Sequence, residues 1–251
     1  MKKLVKWLVL AVVVLLVALA VVLTVALSGA GAAAKEVVLR YGPEVTGTEV
    51  QLDAVDVSAL TGSAAVRGLV IGNPEGYKSE HAFKLGEAAV DIDVGSIFGE
   101  VVVLESVLVD GAHVIWEGSL KGSNLTKIKE HAEAYAGPSE PPEEEAPPAK
   151  VIIRRLVFRN TQVGVRASFA SKDTNFSLPD VVLEDIGVEE GGATPGDVGV
   201  EVTKELVKRI ALAIAEKVKS GELDGKLKDV GGAAKDGAGK AVEGLKNLIG
   251  Q

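Results

Sequence analysis

Polar and apolar residues alternate with a period of two over most of residues 36–117. The pattern is clearest in Ala88, Val90, Ile92 and Val94, whose neighbours Asp91 and Asp93 fall on the opposite face. Similar runs at Glu36–Tyr41, Glu49–Val57, Ala64–Ile71, Val101–Val109 and Ala112–Glu117 are separated by turn signals such as Gly72-Asn73-Pro74-Glu75-Gly76 and Asp110-Gly111. Half-exposed strands joined by short turns predict an antiparallel meander. From residue 121 to 135 the two-residue period gives way to helical spacing in Leu125, Ile128 and Ala132, behind a possible N-cap at Ser123-Asn124. Residues 137–150 read GPSEPPEEEAPPAK, and proline's fixed φ and missing N–H prevent helix or central strand there. Past this linker or loop, residues 151–190 continue the sheet.

A second helix is predicted after Thr194-Pro195-Gly196-Asp197, which supplies an N-cap, a first-turn proline and an acid at the third helical position. Val202, Leu206, Ile210, Ile214 and Val218 recur every four residues, the stripe of an amphipathic helix within 191–220. Residues 221–251 also carry apolar residues at helical spacing, from Leu227 and Val230 to Leu248 and Ile249. Their many glycines make that helix marginal on its own, so it needs a protein or lipid surface or frays.

The leading segment is different in kind. Trp7–Leu27 holds 21 residues without a charge, about 32 Å as a helix, enough for a hydrocarbon core of about 30 Å. Lys2, Lys3 and Lys6 precede it, so the positive-inside rule puts the N-terminus in the cytoplasm and the bulk outside. A cleaved signal peptide is the alternative, with Ala32-Ala33-Ala34 as cleavage site, although the apolar run exceeds the usual h-region. The expected fold is therefore α+β. It has an N-terminal transmembrane helix over 1–34, a mainly antiparallel, curled, groove-like sheet over 35–136 and 151–190, and the C-terminal amphipathic helix.

Composition narrows the function. The 251 residues carry a net charge of −8, no cysteine and 4% aromatics, which disfavours a disulfide framework, a Cys-based zinc site, base-stacking platforms and nucleic acid as partner. Residues 36–136 hold 16 acids against 7 Lys/Arg, whereas 151–170 carry Arg154, Arg155, Arg159 and Arg166 and no acid. Those arginines are either a solvated strand face or, for Arg154, Arg155 and Arg159, contacts to anionic lipid head groups. A weak repeat crosses the linker: residues 103–116 superpose without gaps on 152–165, placing Val103 on Ile152, Val107 on Leu156, Val109 on Phe158 and Val114 on Val163. It reads as one hairpin used twice in a growing sheet, or as convergence of two generic hairpins.

Signatures of catalysis are missing. His81, His113 and His131 have no metal-ligand spacing, Asp91 and Asp93 suit an exposed strand face, and no P-loop, G-x-G-x-x-G or G-x-S-x-G occurs. Asn124-Leu125-Thr126 and Asn175-Phe176-Ser177 match the short glycosylation sequon. Trp116 lies on the Val114 side of its strand, as a core residue or as part of a lipid-contacting wall. No enzyme activity and no cofactor are expected.

Five segments, in order, carry a family resemblance: IGNPEGY (Ile71–Tyr77), the run from Lys84 to Gly118, GSNLTKI (Gly122–Ile128), LPDVVLEDIG (Leu178–Gly187) and GGATPGDV (Gly191–Val198). With the leading apolar segment, they resemble a small, AsmA-like, membrane-anchored periplasmic protein. The resemblance implies a β-groove with an aliphatic interior, used in lipid handling or envelope biogenesis at the bacterial inner membrane. Val90, Ile92, Val103, Val107, Val114 and Trp116 would line it, with phospholipid and other envelope proteins as partners. Nine or ten strands would span only about 45 Å, too short to bridge two membranes. The competing reading is a structural or stress-related interaction protein with a closed core and a C-terminal helix that binds membrane or partner. The two differ in whether that aliphatic face stays open or is covered by the helix 197–219.

Overall fold

The computed structural model describes residues 31–58, 60–119, 122–136, 150–168, 173–194 and single positions between 197 and 220. Helix α1 (Gly31–Thr46) leads into β1 (Val50–Gln51), β2 (Ala54–Ser58), β3 (Ser63–Ile71), β4 (Phe83–Ile92), β5 (Val101–Asp110) and β6 (His113–Ser119). Then come β7 (Gly122–Ser123), α2 (Asn124–Ala136), β8 (Lys150–Arg159), β9 (Gln162–Ala167), β10 (Thr174–Ser177) and β11 (Val181–Ile186). All eleven strands belong to one sheet.

Most of these strands are halves of longer ones. β1 and β2 pair with β3 in one unbroken antiparallel register, β5 and β6 share β4, and β10 and β11 continue each other along β9 and β8. The sheet is thus six ranks wide, ordered β1/β2, β3, β4, β5/β6, β8/β9, β10/β11. At about 4.8 Å per rank it spans about 24 Å, not the width that separate strands would give.

The breaks between halves line up across the sheet. Gly68, Gly86, Gly111 and Asn160 fall at matching positions of successive ranks, and Gly68, Gly111 and Asn160 have φ of 65°, 67° and 54°. Main-chain bonds run along the line from Gly86 N–H to Gly111 O (3.2 Å) and from Gly111 N–H to Arg159 O (3.1 Å). A left-handed residue in a strand works as a bulge and changes which face the next side chain takes. Buried positions accordingly switch parity at the crease, Val66 to Leu69, Val109 to Val114 and Phe158 to Val163, and all remain in one aliphatic cluster. Asp110-Gly111 is therefore no hairpin turn: the chain crosses the crease and runs on in the same direction.

The mainly antiparallel expectation is corrected. The sheet is mixed, because β5 lies parallel to β8 and β6 parallel to β9. Val101 faces Lys150 and Gly118 faces Ala167, a constant offset of 49 residues, so the two copies of the repeat lie side by side in register. β7, α2 and the segment after it return the chain to the end where β5 began, and such a long connection permits a parallel pair. The sheet is open, with β1/β2 and β10/β11 at its edges.

One more expectation changes. Glu36–Tyr41 is helical, not a strand: a six-residue segment with apolar Val37, Val38, Leu39 and Tyr41 fits either period, and packing on β1, β2 and α2 decides for helix. The transmembrane helix over Trp7–Leu27 falls outside the described residues, and among the described residues no helix is long and apolar enough to cross a membrane. Of the C-terminal amphipathic helix, Asp197, Val198, Glu201, Val202, Glu205, Arg209, Leu212, Glu216 and Lys219 are described as helical. The Thr194 hydroxyl caps its start, accepting from Asp197 N–H at 3.2 Å. Residues 137–149 and 221–251 lie outside the described residues.

Candidate functional site

The inner face of the sheet is filled. Val90 and Val107 are 1% exposed, and Ile92, Val114 and Trp116 are buried with them, packed in one cluster with Leu125 and Ile128 of α2 and with Val198 and Val202. Val103 does not join them. Asp91 pairs with Ser106 but Ile92 with Leu104, so a bulge at Glu105 turns Leu104 inward and leaves Val103 half-buried on the opposite face. The six residues assigned to a groove wall therefore share no open surface.

The arginines of β8 point outward, each opposite an acid of a neighbouring strand. Arg155 meets Glu184 at 2.6 Å, Arg159 meets Asp110 at 2.8 Å and Arg154 lies 3.6 Å from Asp185. The Asn160 amide and the Arg159 guanidinium beside Asp110 hold its carboxyl below the usual carboxylate range. Read along the chain this stretch is basic; read across the ranks its charges are balanced by β5 and β11.

Between the charged rows of that outer face runs an apolar one. Ala65, Ala89, Leu108, Val157 and Val182 are successive register partners over five ranks. Arg67, Glu87, Asp110 and Arg159 flank the row on one side, and Asp91, Ser106, Arg155 and Glu184 on the other. Its alanine end lies in a recess of about 320 Å³.

At the opposite end of the sheet, three segments that carry the family resemblance meet. Asn124, fully buried, donates through Nδ2 to Ile115 O (2.8 Å) and Asn73 Oδ1 (2.7 Å), and its Oδ1 accepts from Glu117 N–H (3.0 Å) and Leu125 N–H (2.8 Å). Asn73 in turn donates to Ser79 O at 2.6 Å. The Glu117 carboxylate accepts from the backbone N–H of Lys78 (2.9 Å) and Ser79 (2.6 Å) and from the Ser79 hydroxyl. Lys78, Ser79 and Glu117, with Tyr77, Arg166 and Asp173, border a cleft of about 540 Å³. The sequence shows the motifs but not their convergence, because Asn73 and Asn124 are 51 residues apart.

The chemistry of this cleft is limited. Burial pushes the Glu117 carboxyl up, but the Ser79 hydroxyl and the two N–H donors outweigh it and hold its pKa below the usual value. A carboxylate so held is a weak base and does not activate the Ser79 hydroxyl it binds. Arg166 is likewise engaged, donating to Thr174 O (3.0 Å) and Asn175 Oδ1 (2.7 Å).

His81 and His113 meet with Nε2 and Nδ1 3.0 Å apart and their rings edge to face. Burial lowers both pKa values, helped by the His81–His113 proximity at His81, by Arg166 at His113 and by Lys84 at both; Glu80 opposes it. Among the described residues no group of three or more His, Asp or Glu could hold a metal ion. Of the two sequons, Asn124 is buried and committed to the network above, while Asn175 is exposed on β10.

Compared with known proteins, the chain matches no family model, no curated protein and no solved structure.

Proposed function

We propose that this chain is a non-catalytic scaffold or interaction domain of the bacterial cell envelope. Its uncharged leading segment holds it at the inner membrane and its bulk lies in the periplasm, in the manner of a small AsmA-like protein. The observation that carries this reading is the filled inner face: an aliphatic surface on which Val90, Val107 and Val109 are 1% exposed is the domain's own core, not a binding trough. The saturated Glu117 cluster agrees with it, since its hydrogen bonds serve to fasten α2 and the β3–β4 connection to the sheet.

Lipid handling is the second reading, favoured by the outer row from Ala65 to Val182, whose floor is apolar and whose strands already use their backbone groups for one another. Native mass spectrometry with lipid extraction, on the full chain purified from a bacterial envelope, separates the two. The scaffold reading expects no stoichiometric phospholipid. Lipid that is lost on Leu108→Glu would replace it with the second reading. Lipid insensitive to Leu108 but lost on Val107→Asp, with the fold intact, would refute both and restore an inner groove.

A further inference from the structure

The end of the sheet where β2 turns into β3 and β4 leads into β5 holds two apolar side chains almost wholly in water. Leu60 is 92% exposed and Phe98 94%. Their loops touch: Ile92 N–H donates to Gly62 O at 2.8 Å, and a Cβ on Gly62 would come within 2.7 Å of Val94 Cγ2. Val94, itself 38% exposed, adds to the patch. Both loops are fixed by their own hydrogen bonds. Asp93 accepts from Gly95 N–H at 2.8 Å, the Ser96 hydroxyl accepts from Val103 N–H at 2.8 Å, and the Thr61 hydroxyl donates to Ser58 Oγ at 2.7 Å. Neither loop carries a charge from Val57 to Ser63 or from Val94 to Gly99. A built loop that presents phenylalanine to water on an uncharged tip is suited to an apolar partner.

The path of the chain indicates which partner. α1 runs antiparallel to β1 and β2: Gly42 lies against Val50, at 3.0 Å from an added Cβ, and Lys35 Nζ donates to Asp53 O at 2.6 Å. Over its 16 residues, about 24 Å, α1 therefore points its first residue, Gly31, toward the end that carries Leu60 and Phe98. Residues 1–30, with the uncharged run Trp7–Leu27, join the domain from that side. The exposed charges around this end are mostly acids, Asp93, Glu100, Glu189 and Glu190, which repel anionic head groups.

We propose that this end of the sheet faces the bilayer that the leading segment enters, and that Leu60, Val94 and Phe98 insert into the interface of zwitterionic lipid. The inference rests on the membrane-held reading above and adds an orientation to it: the Asn124–Glu117 end points away from the bilayer, toward envelope partners. Insertion of exposed apolar side chains fixes the domain upright instead of leaving it on a loose tether.

The cysteine-free chain allows single labels. Leu60→Cys, Phe98→Cys and, at the far end, Glu75→Cys are labelled with an environment-sensitive fluorophore in the full chain and reconstituted into phosphatidylcholine vesicles. Flotation of the vesicles reports whether the chain is membrane-held at all. The expected result is flotation, with labels at 60 and 98 blue-shifted, severalfold brighter than at 75 and quenched by nitroxide lipid. A chain that floats while all three labels behave alike overturns the insertion and leaves the membrane-held reading standing. A chain that does not float removes both.

Discussion

Replacing Gly68 by alanine probes the crease that organises the sheet. Gly68 has φ of 65°, and a Cβ there would overlap the Asp53 carboxylate and come within 2.8 Å of Asp53 Cβ. Left-handed backbone costs a non-glycine residue about 1–2 kcal/mol, and the steric overlap adds about 1–3 kcal/mol, giving about 2–5 kcal/mol in all. Asp53 cannot move away freely, because its N–H donates to Arg67 O at 3.1 Å and its carbonyl accepts from Lys35. Two reference substitutions separate the terms. Gly191→Ala, at φ of 64° with nothing within 4 Å, carries the backbone cost alone, and Gly122→Ala, with open space and no left-handed φ, carries neither. With a urea m-value of about 2 kcal/mol per M, Gly68→Ala lowers the unfolding midpoint by roughly 1–2.5 M, followed by circular dichroism. Should Gly68→Ala cost no more than Gly191→Ala, the close approach of β1/β2 to β3 at the crease is not what holds the edge rank.

Further outcomes follow from the Asn124 cluster and the histidine pair. Asn124→Ala leaves the Ile115 carbonyl and the Glu117 N–H buried without partners and should cost about 3–5 kcal/mol by chemical denaturation. Asn124→Asp, which puts negative charge against two acceptors, should cost more; an Asp variant as stable as wild type would contradict the donor assignment. His81 and His113 are lowered below their ordinary value, so the unfolded chain binds protons more readily. Stability is then full above about pH 6.5 and falls as the pH drops through the folded values. His113→Gln should flatten that slope in melting curves between pH 7 and pH 5, and an unchanged slope would count against the buried pair. Glu117, also lowered, contributes at more acid pH: Glu117→Gln should reduce the further loss of stability below about pH 4.3 while lowering stability at neutral pH.

What the sequence conveys about this fold is chiefly local periodicity, and the departures have identifiable causes. The alternation in 63–71, 83–92 and 101–110 is that of real strands, and the offset of the internal repeat is the register of the β5–β8 and β6–β9 pairs. Alternation alone could not show that Gly68, Gly111 and Asn160 reverse the facing of each strand. Nor could it show that a bulge at Glu105 exchanges Val103 for Leu104, since both devices depend on main-chain dihedrals that Gly, Asn or even Glu tolerate without a fixed pattern. Arg155 and Arg159 look like an unbalanced basic stretch until β11 and β5 bring Glu184 and Asp110 alongside. The Asn73–Asn124 contact was invisible for the same reason: long-range pairing, not composition, creates it.

The most direct test of a filled inner face compares two adjacent residues of β5 that point to opposite sides, Val107 at 1% exposure and the half-buried Leu108. In the full chain, Val107→Asp forces a carboxylate into the aliphatic cluster and should abolish cooperative thermal unfolding, while Leu108→Asp, beside the outer charged rows, should keep a cooperative melt. A cooperative melt for Val107→Asp close to that of Leu108→Asp would show that the inner face is open to solvent or ligand, and would contradict the scaffold reading.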